Sequence, residues 1–368
     1  MKFGFFTMPV HPQGRNYTET LKEDREAFIL ADKLGYSEAL CGEHLTDAVE
    51  NIPSSMMFIA SLASATTHIK LGTAVINLPH SHPVVIASNA AMLDHLLEGR
   101  FLMGVGAGIL RSDAEAMGIL DQDRNAMFVE AIDHILGIWL GDPPYNLKGK
   151  YWTISTEKSL WPEIGLGPIV KPYQKPHPPI LGTATDPNSQ GLIALGRRGW
   201  WPVSSNFLHS NLVANHWRNY AQGCQEGGHR ADRANWRLAR SLCVNEDDKL
   251  AIAYGQTDAK SPYRFYMSQL SQKLARGRRL GGFKSHPEMP DEAVTLDYIM
   301  ENFVIAGSPN RVVDKILALR EKIGDFGTLL YCGKNWTDPR LGRRSMELMA
   351  EKVMPAVNAA IRGAKAAE

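Results

Sequence analysis

The sequence predicts an α/β protein folded as a (β/α)₈ barrel. Three observations favour this class: eight short apolar runs alternate with helix-type segments, the runs are apolar almost without interruption, and the chain is 368 residues long. Parallel strands that are covered on both faces have this unbroken apolar character. Eight β/α units in one chain favour a closed barrel over an open sheet, so we expect one barrel domain over residues 1–368.

The eight apolar runs are bounded by glycine, proline or small polar residues, as strands commonly are. They cover residues 2–7, 37–42, 69–76, 100–108, 179–184, 200–205, 236–245 and 326–333. The active site of such a barrel lies at the C-terminal ends of its strands, so five segments are expected to meet at one mouth. These segments are residues 42–48, 74–80, 104–111, 183–189 and 203–207.

Helix signals fill the intervals between the strands. Pro83 opens one segment as a first-turn proline and Gly99 closes it. Thr18 or Thr20 is the expected N-cap of the first helix. The predicted helices cover residues 18–35, 55–66, 83–99, 124–141, 189–199, 209–226, 309–324 and 343–363.

Two segments break the alternation. Residues 142–178 are rich in proline, glycine and aromatic residues, and we interpret them as a long excursion after the fourth strand that contains a small hairpin. Residues 246–300 form a helical and partly basic insertion after the seventh strand. Its Gly281-Gly282 pair suits mobility, so the insertion is expected to cover the mouth or to serve a dimer contact.

The bulk composition excludes several classes of function. The 40 basic and 39 acidic side chains nearly cancel, which argues against nucleic acid or a membrane surface as a partner. No window approaches the roughly eighteen apolar residues of a membrane span, and Pro9 and Pro12 interrupt the N-terminus too early for a signal peptide. The four cysteines are scattered without a C-x-x-C pair, as is typical of reduced thiols in a cytoplasmic protein.

Residues 104–108, GVGAG, follow the fourth strand without forming a dinucleotide-binding fingerprint. The third glycine of G-x-G-x-x-G is replaced by Ile109. The glycines indicate either a tight turn or a close approach of a flavin or phosphate to the backbone. Residues 77–83, NLPHSHP, hold two histidines but no neighbouring cysteine or carboxylate, so no metal site is expected there.

Residues 182–190, GTATDPNSQ, lead from a strand into a helix. Hydroxyl side chains and free backbone N–H groups at a helix N-terminus can form an anion site. Ordinary N-capping by Asn188 or Ser189 explains the same residues, and the two interpretations are compatible.

Glu43 and His44 directly follow the second strand, after Gly42. A solvated surface turn would explain this pair, and so would the rim of an active site. No G-x-S-x-G elbow is present to make His44 the base of a nucleophilic triad. An imidazole near a flavin could instead hydrogen-bond a developing peroxide or act as a general acid or base.

Taken together, these segments resemble the bacterial luciferase-like family of flavin-dependent monooxygenases over almost the whole chain. The resemblance is carried by the Glu43-His44 pair, by residues 71–108 and by residues 302–319. Within the family the chain is most similar to the type II Baeyer–Villiger enzymes that act on diketocamphanes, and next to the limonene monooxygenases. Residues 50–53, 78–83, 97–108 and 307–319 carry that closer likeness.

The resemblance implies a barrel that binds reduced FMN supplied by a separate NAD(P)H:flavin reductase, that uses O₂ as a co-substrate and that is usually a homodimer. It also implies a flavin C4a-peroxide that inserts one oxygen atom into a bulky apolar substrate. A cyclic ketone, a terpenoid or an aldehyde would each fit this description, whereas light emission is the least expected activity.

The resemblance also assigns roles to individual residues. His44 would lie beside the flavin ring as the catalytic residue, with Glu43 orienting it or adding charge. The Ala74-Val75 bond matches the non-proline cis peptide of the family. Residues that would surround the ribityl phosphate are Gly106, Ala107, Thr183, Ala184 and Ser189.

The chain departs from the luciferases at one position of the phosphate site. The luciferases carry a phosphate-contacting arginine where this chain has Ala107, for which Arg111 or backbone N–H groups could compensate. The apolar residues expected to line a substrate pocket at the strand ends are Phe6, Met8, Trp201 and Phe207.

Two rival functions stay open at this point. A deazaflavin (F420)-dependent oxidoreductase resembles the same barrel but transfers hydride and uses no oxygen. A non-catalytic flavin-binding or structural barrel would make no chemical use of His44.

Overall fold

The computed structural model describes residues 1–335 and 337–367. Its strands are β1 (Lys2–Thr7), β2 (Glu38–Cys41), β3 (Lys70–Thr73), β4 (Ile76–Asn77), β5 (Phe101–Gly106), β6 (Asn146–Lys148), β7 (Thr153–Ser155), β8 (Ile180–Ala184), β9 (Trp201–Ser204), β10 (Arg237–Val244), β11 (Val304–Gly307) and β12 (Thr328–Cys332).

Helices separate most of these strands. They are α1 (Tyr17–Lys33), α2 (Ser55–Ala60), α3 (Pro83–Leu96), α4 (Arg111–Ala116), α5 (Arg124–Leu140), α6 (Gly191–Arg197), α7 (Ser210–Glu226), α8 (Asp248–Ile252), α9 (Pro262–Arg276), α10 (Leu296–Phe303), α11 (Pro309–Ile323), α12 (Pro339–Leu348) and α13 (Met354–Ala367), of which α12 and α13 follow the last strand. Short 3₁₀ turns cover Leu78–His80, Pro162–Ile164, Arg233–Asn235, Leu280–Gly282 and Asp291–Ala293, and π-helical turns cover Ala253–Thr257 and Met349–Val353.

The main sheet has the strand order β11-β10-β12-β1-β2-β3-β5-β8-β9, and β10 also pairs with β9. Within the described residues this last pairing closes a ring of eight strands, formed by β1, β2, β3, β5, β8, β9, β10 and β12. The pairs β1–β12, β10–β12, β10–β9 and β3–β5 are all parallel. The predicted (β/α)₈ barrel is therefore confirmed.

All eight predicted strands are present, the third of them split into β3 and β4 by Ala74 and Val75. The predicted hairpin of the excursion is confirmed as the antiparallel pair β6 and β7. The strand β11 was not predicted; it lies beside β10, with Ser241 opposite Val304. The predicted N-cap was wrong, because α1 begins at Tyr17 and so places Thr18 inside the helix.

The chain divides into two compact units. The first unit comprises Met1–Thr7, Glu26–Ala39 and Gly182–Glu368, and the second unit comprises Met8–Arg25 and Leu40–Leu181. The interpretation of residues 1–368 as a single domain stays a prediction.

A buried ion pair organises the first unit. Arg237 donates from Nε and Nη2 to the two carboxylate oxygens of Glu38, at 2.7 and 2.9 Å. Both side chains are buried, and a buried charge is tolerated when it is paired and hydrogen-bonded. Gly4 makes room for the pair, because a Cβ there would lie 2.9 Å from Glu38 Cγ.

In the second unit, close packing of β3 against β5 depends on glycine. The Thr73 hydroxyl donates to the carbonyl oxygen of Gly104 at 2.7 Å. A Cβ on Gly104 would collide with the carbonyl oxygen of Thr73. Only glycine permits this close approach. The approach in turn sets where the loops after β3 and β5 begin.

Among residues 1–335 and 337–367, no helix combines the length and the apolar character needed to cross a membrane. The four cysteines of these ranges are free and buried.

We expect Gly104→Ala to lower the free energy of unfolding by about 3 kcal/mol or more, because the added methyl group meets backbone rather than a mobile side chain. Gly191→Ala is the matched control: a Cβ at Gly191 meets only Ser189 Oγ, at 3.5 Å. Urea denaturation of both variants checks this, and equal stability of the two would contradict it.

Candidate active site

The second strand ends in a loop that carries Glu43 and His44. Gly42 precedes them, and a Cβ at Gly42 would lie 2.5 Å from Met8 Sδ, so Met8 packs directly against this turn. The backbone N–H of His44 donates to the carbonyl oxygen of Ile52 at 3.0 Å. His44 is thereby held on a closed loop, with its side chain 13% exposed.

The carboxylate of Asp113, on α4, holds the His44 ring and the loop behind it. Its Oδ2 lies 2.9 Å from His44 Nδ1. Its Oδ1 accepts from the backbone N–H groups of Leu45 and Thr46, at 3.1 and 2.9 Å, and from the Thr46 hydroxyl at 2.6 Å. With the carboxylate ionised, Nδ1 carries the proton of this contact, so the geometry fixes the tautomer of the ring.

The two partners shift each other's pKa. Burial alone would lower the pKa of His44, but the hydrogen bond to Asp113 and the negative charges of Glu50, Asp113 and Asp47 outweigh it and raise that pKa. Burial alone would raise the pKa of Asp113, but hydrogen bonds from His44 and Thr46 lower it to about 2. An ionised carboxylate thus stabilises an imidazolium next to it.

The second ring nitrogen of His44 faces Glu50. Its Nε2 lies 3.7 Å from Glu50 Oε2, which is too long for a hydrogen bond but close enough for charge attraction. Glu50 is buried. The carboxylates of Asp113 and Glu50 therefore flank the His44 ring, one near each nitrogen.

Glu43, the neighbour of His44, is tied to the backbone. Its Oε2 accepts from the N–H and the hydroxyl of Ser55, at 2.9 and 2.6 Å, and its Oε1 accepts from the N–H of Asn77 at 3.1 Å. Burial raises the pKa of Glu43, and these hydrogen bonds oppose the rise. Glu43 joins the start of α2 to the end of β4, and so anchors the loop that bears His44.

The ends of β3 and β5 present small, uncrowded backbone. The peptide bond between Ala74 and Val75 is cis, as the resemblance implies. Ala74, Val75, Gly106 and Ala107 are all partly exposed, whereas residues 101–105 of β5 are buried. A Cβ at Gly106 would lie 2.6 Å from Val75 Cγ2, so only glycine leaves this edge open.

An imidazole nitrogen without a protein partner lies beside this open edge. Among the described residues, His80 Nε2 is buried and has no hydrogen-bond partner. A Cβ on Gly108 would lie 3.1 Å from it, and Arg124 donates to the Gly108 carbonyl oxygen at 2.7 Å. Burial lowers the pKa of His80. The glycine-lined edge and the unsatisfied nitrogen fit a flat, polar-edged group such as a flavin.

Of the predicted phosphate residues in the first unit, Thr183 and Ala184 end β8, and Ser189 lies in the loop that follows it. Thr183 and Ser189 are partly exposed and Ala184 is buried. The Ala184 carbonyl oxygen accepts from the Ser205 hydroxyl at 2.9 Å. The capping prediction was wrong: α6 begins at Gly191, and no side-chain cap is described at its N-terminus.

The predicted pocket residues separate into three groups. Phe6 is partly exposed near the end of β1, and Met8 packs at Gly42 in the second unit. The Phe207 ring lies 6.1 Å from that of Phe283, in the insertion. Trp201 requires a correction: it begins β9 rather than ending it, and the Arg237 guanidinium lies 4.7 Å from its ring centre. Its position at the N-terminal end of a strand argues against a pocket role.

Sequence reasoning missed Asp113 and Glu50 as site residues. The predicted mouth segment 104–111 stops two residues before Asp113, and α4 was not predicted. His80 lies within the predicted mouth segment 74–80, where the sequence leaves both a pocket-lining and a surface position open to it. An acidic residue just past a strand end was the available signal for Asp113, but its distance of 69 positions from His44 gave no hint of their contact.

The chain is similar to known monooxygenases. The family model for luciferase-like monooxygenases matches residues 1–325. The 4-hydroxyprotoasukamycin monooxygenase of Streptomyces nodosus subsp. asukaensis is 30% identical over 100% of this chain and 95% of its own length. Limonene 1,2-monooxygenase of Rhodococcus erythropolis is 30% identical over 97% of this chain and 86% of its own.

A solved structure is also similar. It is the oxygenating constituent of 3,6-diketocamphane monooxygenase from Pseudomonas putida, a type II Baeyer–Villiger monooxygenase in complex with FMN. It superposes with a TM-score of 0.86 at 27% identity and covers 96% of this chain and 98% of that chain.

We expect Asp113→Asn to lower the pKa of His44, because the variant removes the negative charge that favours the imidazolium. Titration of the His44 ring protons by NMR measures this directly. Glu115→Gln is the matched control, since Glu115 is exposed on the same helix. An unchanged His44 pKa in Asp113→Asn would show that the contact has no electrostatic effect.

The low pKa of Asp113 also predicts a dependence of stability on pH. A carboxylate whose folded pKa is depressed stabilises the fold above its unfolded pKa, and that contribution is lost as the pH falls through the folded pKa. The difference in free energy of unfolding between the wild type and Asp113→Asn is therefore expected to shrink between about pH 4 and the folded value of about 2. Denaturant titrations across this window test it, and a constant difference would contradict it.

Proposed function

This chain belongs to the luciferase-like monooxygenase family, and on that premise we propose that it is the oxygenase component of a two-component, FMN-dependent system. It would use reduced FMN and O₂ to oxygenate a bulky apolar substrate. Flavin-dependent monooxygenase activity itself follows from the relatives and the FMN-bound structural neighbour.

The observation that carries the proposal is the Asp113–His44 pair at the end of β2. It places a charge-stabilised imidazole on the side of the barrel where enzymes of this fold keep their active sites. A surface turn would expose both groups to solvent, whereas the Asp113 side chain is 1% exposed and that of His44 is 13% exposed.

FMN is the proposed cofactor. Ala74, Val75, Gly106 and Ala107 would line the flavin in the second unit, and His80 Nε2 would find a hydrogen-bond partner there. Thr183, Ala184 and Ser189, in the first unit, are the residues that the resemblance assigns to the ribityl phosphate. When bound, reduced flavin supplies the two electrons with which one oxygen atom of O₂ enters the substrate and the other leaves as water.

His44 is proposed to hold and donate a proton at Nε2. Asp113 occupies Nδ1, so Nε2 is the nitrogen left to act on a reacting oxygen. The raised pKa keeps the ring protonated to higher pH than an ordinary histidine. A positioned acid of this kind contributes about 10²–10⁴ in rate.

Glu43 and Glu50 are proposed as positioning residues. Glu43 fixes the loop through Ser55 and Asn77, and none of its described hydrogen bonds goes to His44. Glu50 adds negative charge 3.7 Å from His44 Nε2, which favours the protonated ring.

The relatives and the apolar residues near the strand ends support the proposed substrate class. The names of two relatives give limonene and diketocamphane, both cyclic terpenoids, as their substrates. We propose a cyclic ketone, another terpenoid or an aldehyde as the substrate. Phe6 and Phe207 of the first unit are proposed to contact its apolar surface, and a pocket role for Met8 stays a prediction. Apolar surroundings would keep water from the reacting groups.

A transient NAD(P)H:flavin reductase is the proposed partner, because the structural neighbour is described as the oxygenating constituent of its enzyme. A homodimer within the cytoplasm, made of single-domain barrels, completes the proposal.

The test mixes protein carrying reduced FMN with oxygenated buffer and a panel of cyclic terpenoid ketones. We expect oxygenated product and slow return of the absorbance of oxidised flavin. His44→Gln is expected to lower product formation about 100-fold or more while leaving FMN affinity nearly unchanged. His68→Gln, an exposed histidine of the same unit, is the matched control and should retain wild-type rates.

The pH profile separates a chemical role of His44 from a structural one. If His44 acts in its protonated form, the rate falls as the pH rises through its pKa, and Asp113→Asn moves this fall to lower pH. Flavin that reoxidises as fast as free reduced FMN, with no product, would exclude the monooxygenase. Oxygen-independent hydride transfer with deazaflavin would then establish the rival function.

A further inference from the structure

A cation from the insertion reaches the loop that follows β8. Arg279 Nη2 donates to the Thr185 hydroxyl at 3.0 Å and lies 3.0 and 3.1 Å from the two carboxylate oxygens of Asp186. Thr185 directly follows Thr183 and Ala184, the residues proposed to contact FMN in this unit. The guanidinium therefore lies at the C-terminal end of a barrel strand.

The turn that carries Arg279 is held in an unusual conformation. Arg278 has φ +54°, a left-handed conformation that residues other than glycine rarely adopt. The N–H of Arg279 donates to the Leu274 carbonyl oxygen at 2.8 Å, and the Gly282 carbonyl oxygen accepts from the His209 N–H at 2.8 Å. A strained backbone of this kind persists only where surrounding contacts hold it. Here the strained turn places the Arg279 guanidinium beside the loop after β8.

The receiving loop is fixed as well. The Asp186 carbonyl oxygen lies 2.8 Å from His216 Nε2, and Asn219 donates to the Ser189 carbonyl oxygen at 3.2 Å. Burial lowers the pKa of His216 to about 4, so the ring is neutral near pH 7 and donates from Nε2. Thr185 and Asp186 are thus presented by a loop that is braced from behind by α7.

The Arg279–Asp186 ion pair does not account for this arrangement. The two side chains are 30% and 58% exposed, and exposed ion pairs contribute little to stability. Within the described ranges only Nη2 of Arg279 makes hydrogen bonds, so Nε and Nη1 are left to bind another group. A guanidinium fork of this kind matches the oxygens of a phosphate.

We propose that Arg279, together with the Thr185 hydroxyl, binds the phosphate group of FMN, and that Asp186 holds the guanidinium in place before the phosphate arrives. Because Asp186 is negative, it also opposes the incoming phosphate and so weakens binding. The proposal rests on the proposed function for the identity of the ligand, and it assigns phosphate recognition to the insertion between β10 and β11.

The test compares FMN with riboflavin, which lacks the phosphate. We expect Arg279→Gln to weaken FMN binding about tenfold or more, measured by quenching of flavin fluorescence, and to leave riboflavin binding unchanged. Arg279→Lys keeps the positive charge without the forked guanidinium, so it should weaken FMN binding less than Arg279→Gln does. Arg276→Gln is the matched control, since Arg276 is exposed in the same insertion. Asp186→Asn is expected to tighten the binding of FMN and to leave the binding of riboflavin unchanged.

The outcomes separate this inference from the proposed function. Equal losses for FMN and riboflavin in Arg279→Gln would show that the residue only shapes the insertion, and would overturn the inference. An unchanged FMN affinity in Arg279→Gln would overturn it too, while wild-type product formation with FMN would leave the proposed function intact. If the wild type bound neither FMN nor riboflavin, the proposed function would be overturned, and the inference about Arg279 with it.

Discussion

The buried carboxylate of Asp113 is the constraint on which the site depends. It accepts from the His44 ring, from two consecutive backbone N–H groups and from the Thr46 hydroxyl. One side chain therefore fixes the imidazole and the loop that carries it. The same hydrogen bonds lower the pKa of Asp113, and its charge raises the pKa of His44. The position of the imidazole and its pKa therefore depend on one network.

The carboxylates of Glu43 and Asp113 differ in chemistry: Glu43 holds the backbone of the His44 loop, and Asp113 holds the His44 ring. Burial raises the pKa of Glu43, whereas hydrogen bonds lower the pKa of Asp113. Glu43 bonds to Ser55 and Asn77, and Asp113 bonds to the imidazole. Environments that push the pKa values of neighbouring acids apart are a common means of dividing roles in active sites. Here the division is between holding the loop and charging the ring.

The barrel strands could be predicted from the sequence because a strand covered on both faces is a local apolar run. The strand β11 escaped because its run is four residues long and follows α10 without a break. His44 could be predicted because it follows a strand directly. Asp113 and Arg279 could not, since each acts through a contact with a residue far away in the chain. The pocket role predicted for Trp201 conflicted with the predicted strand itself, because position 201 lies at the start of residues 200–205 and outside the mouth segment 203–207.

The short helix α4 and the loop at residues 44–46 are expected to unfold together. The helix has six residues, too few to be stable alone, and Asp113 ties it to the loop. Opening either segment breaks the hydrogen bonds that hold the other, so the two form one unit of local unfolding. The backbone amides of Leu45 and Thr46 would then exchange with solvent at the rate set by α4, and the His44 ring would lose and regain its partner in the same event.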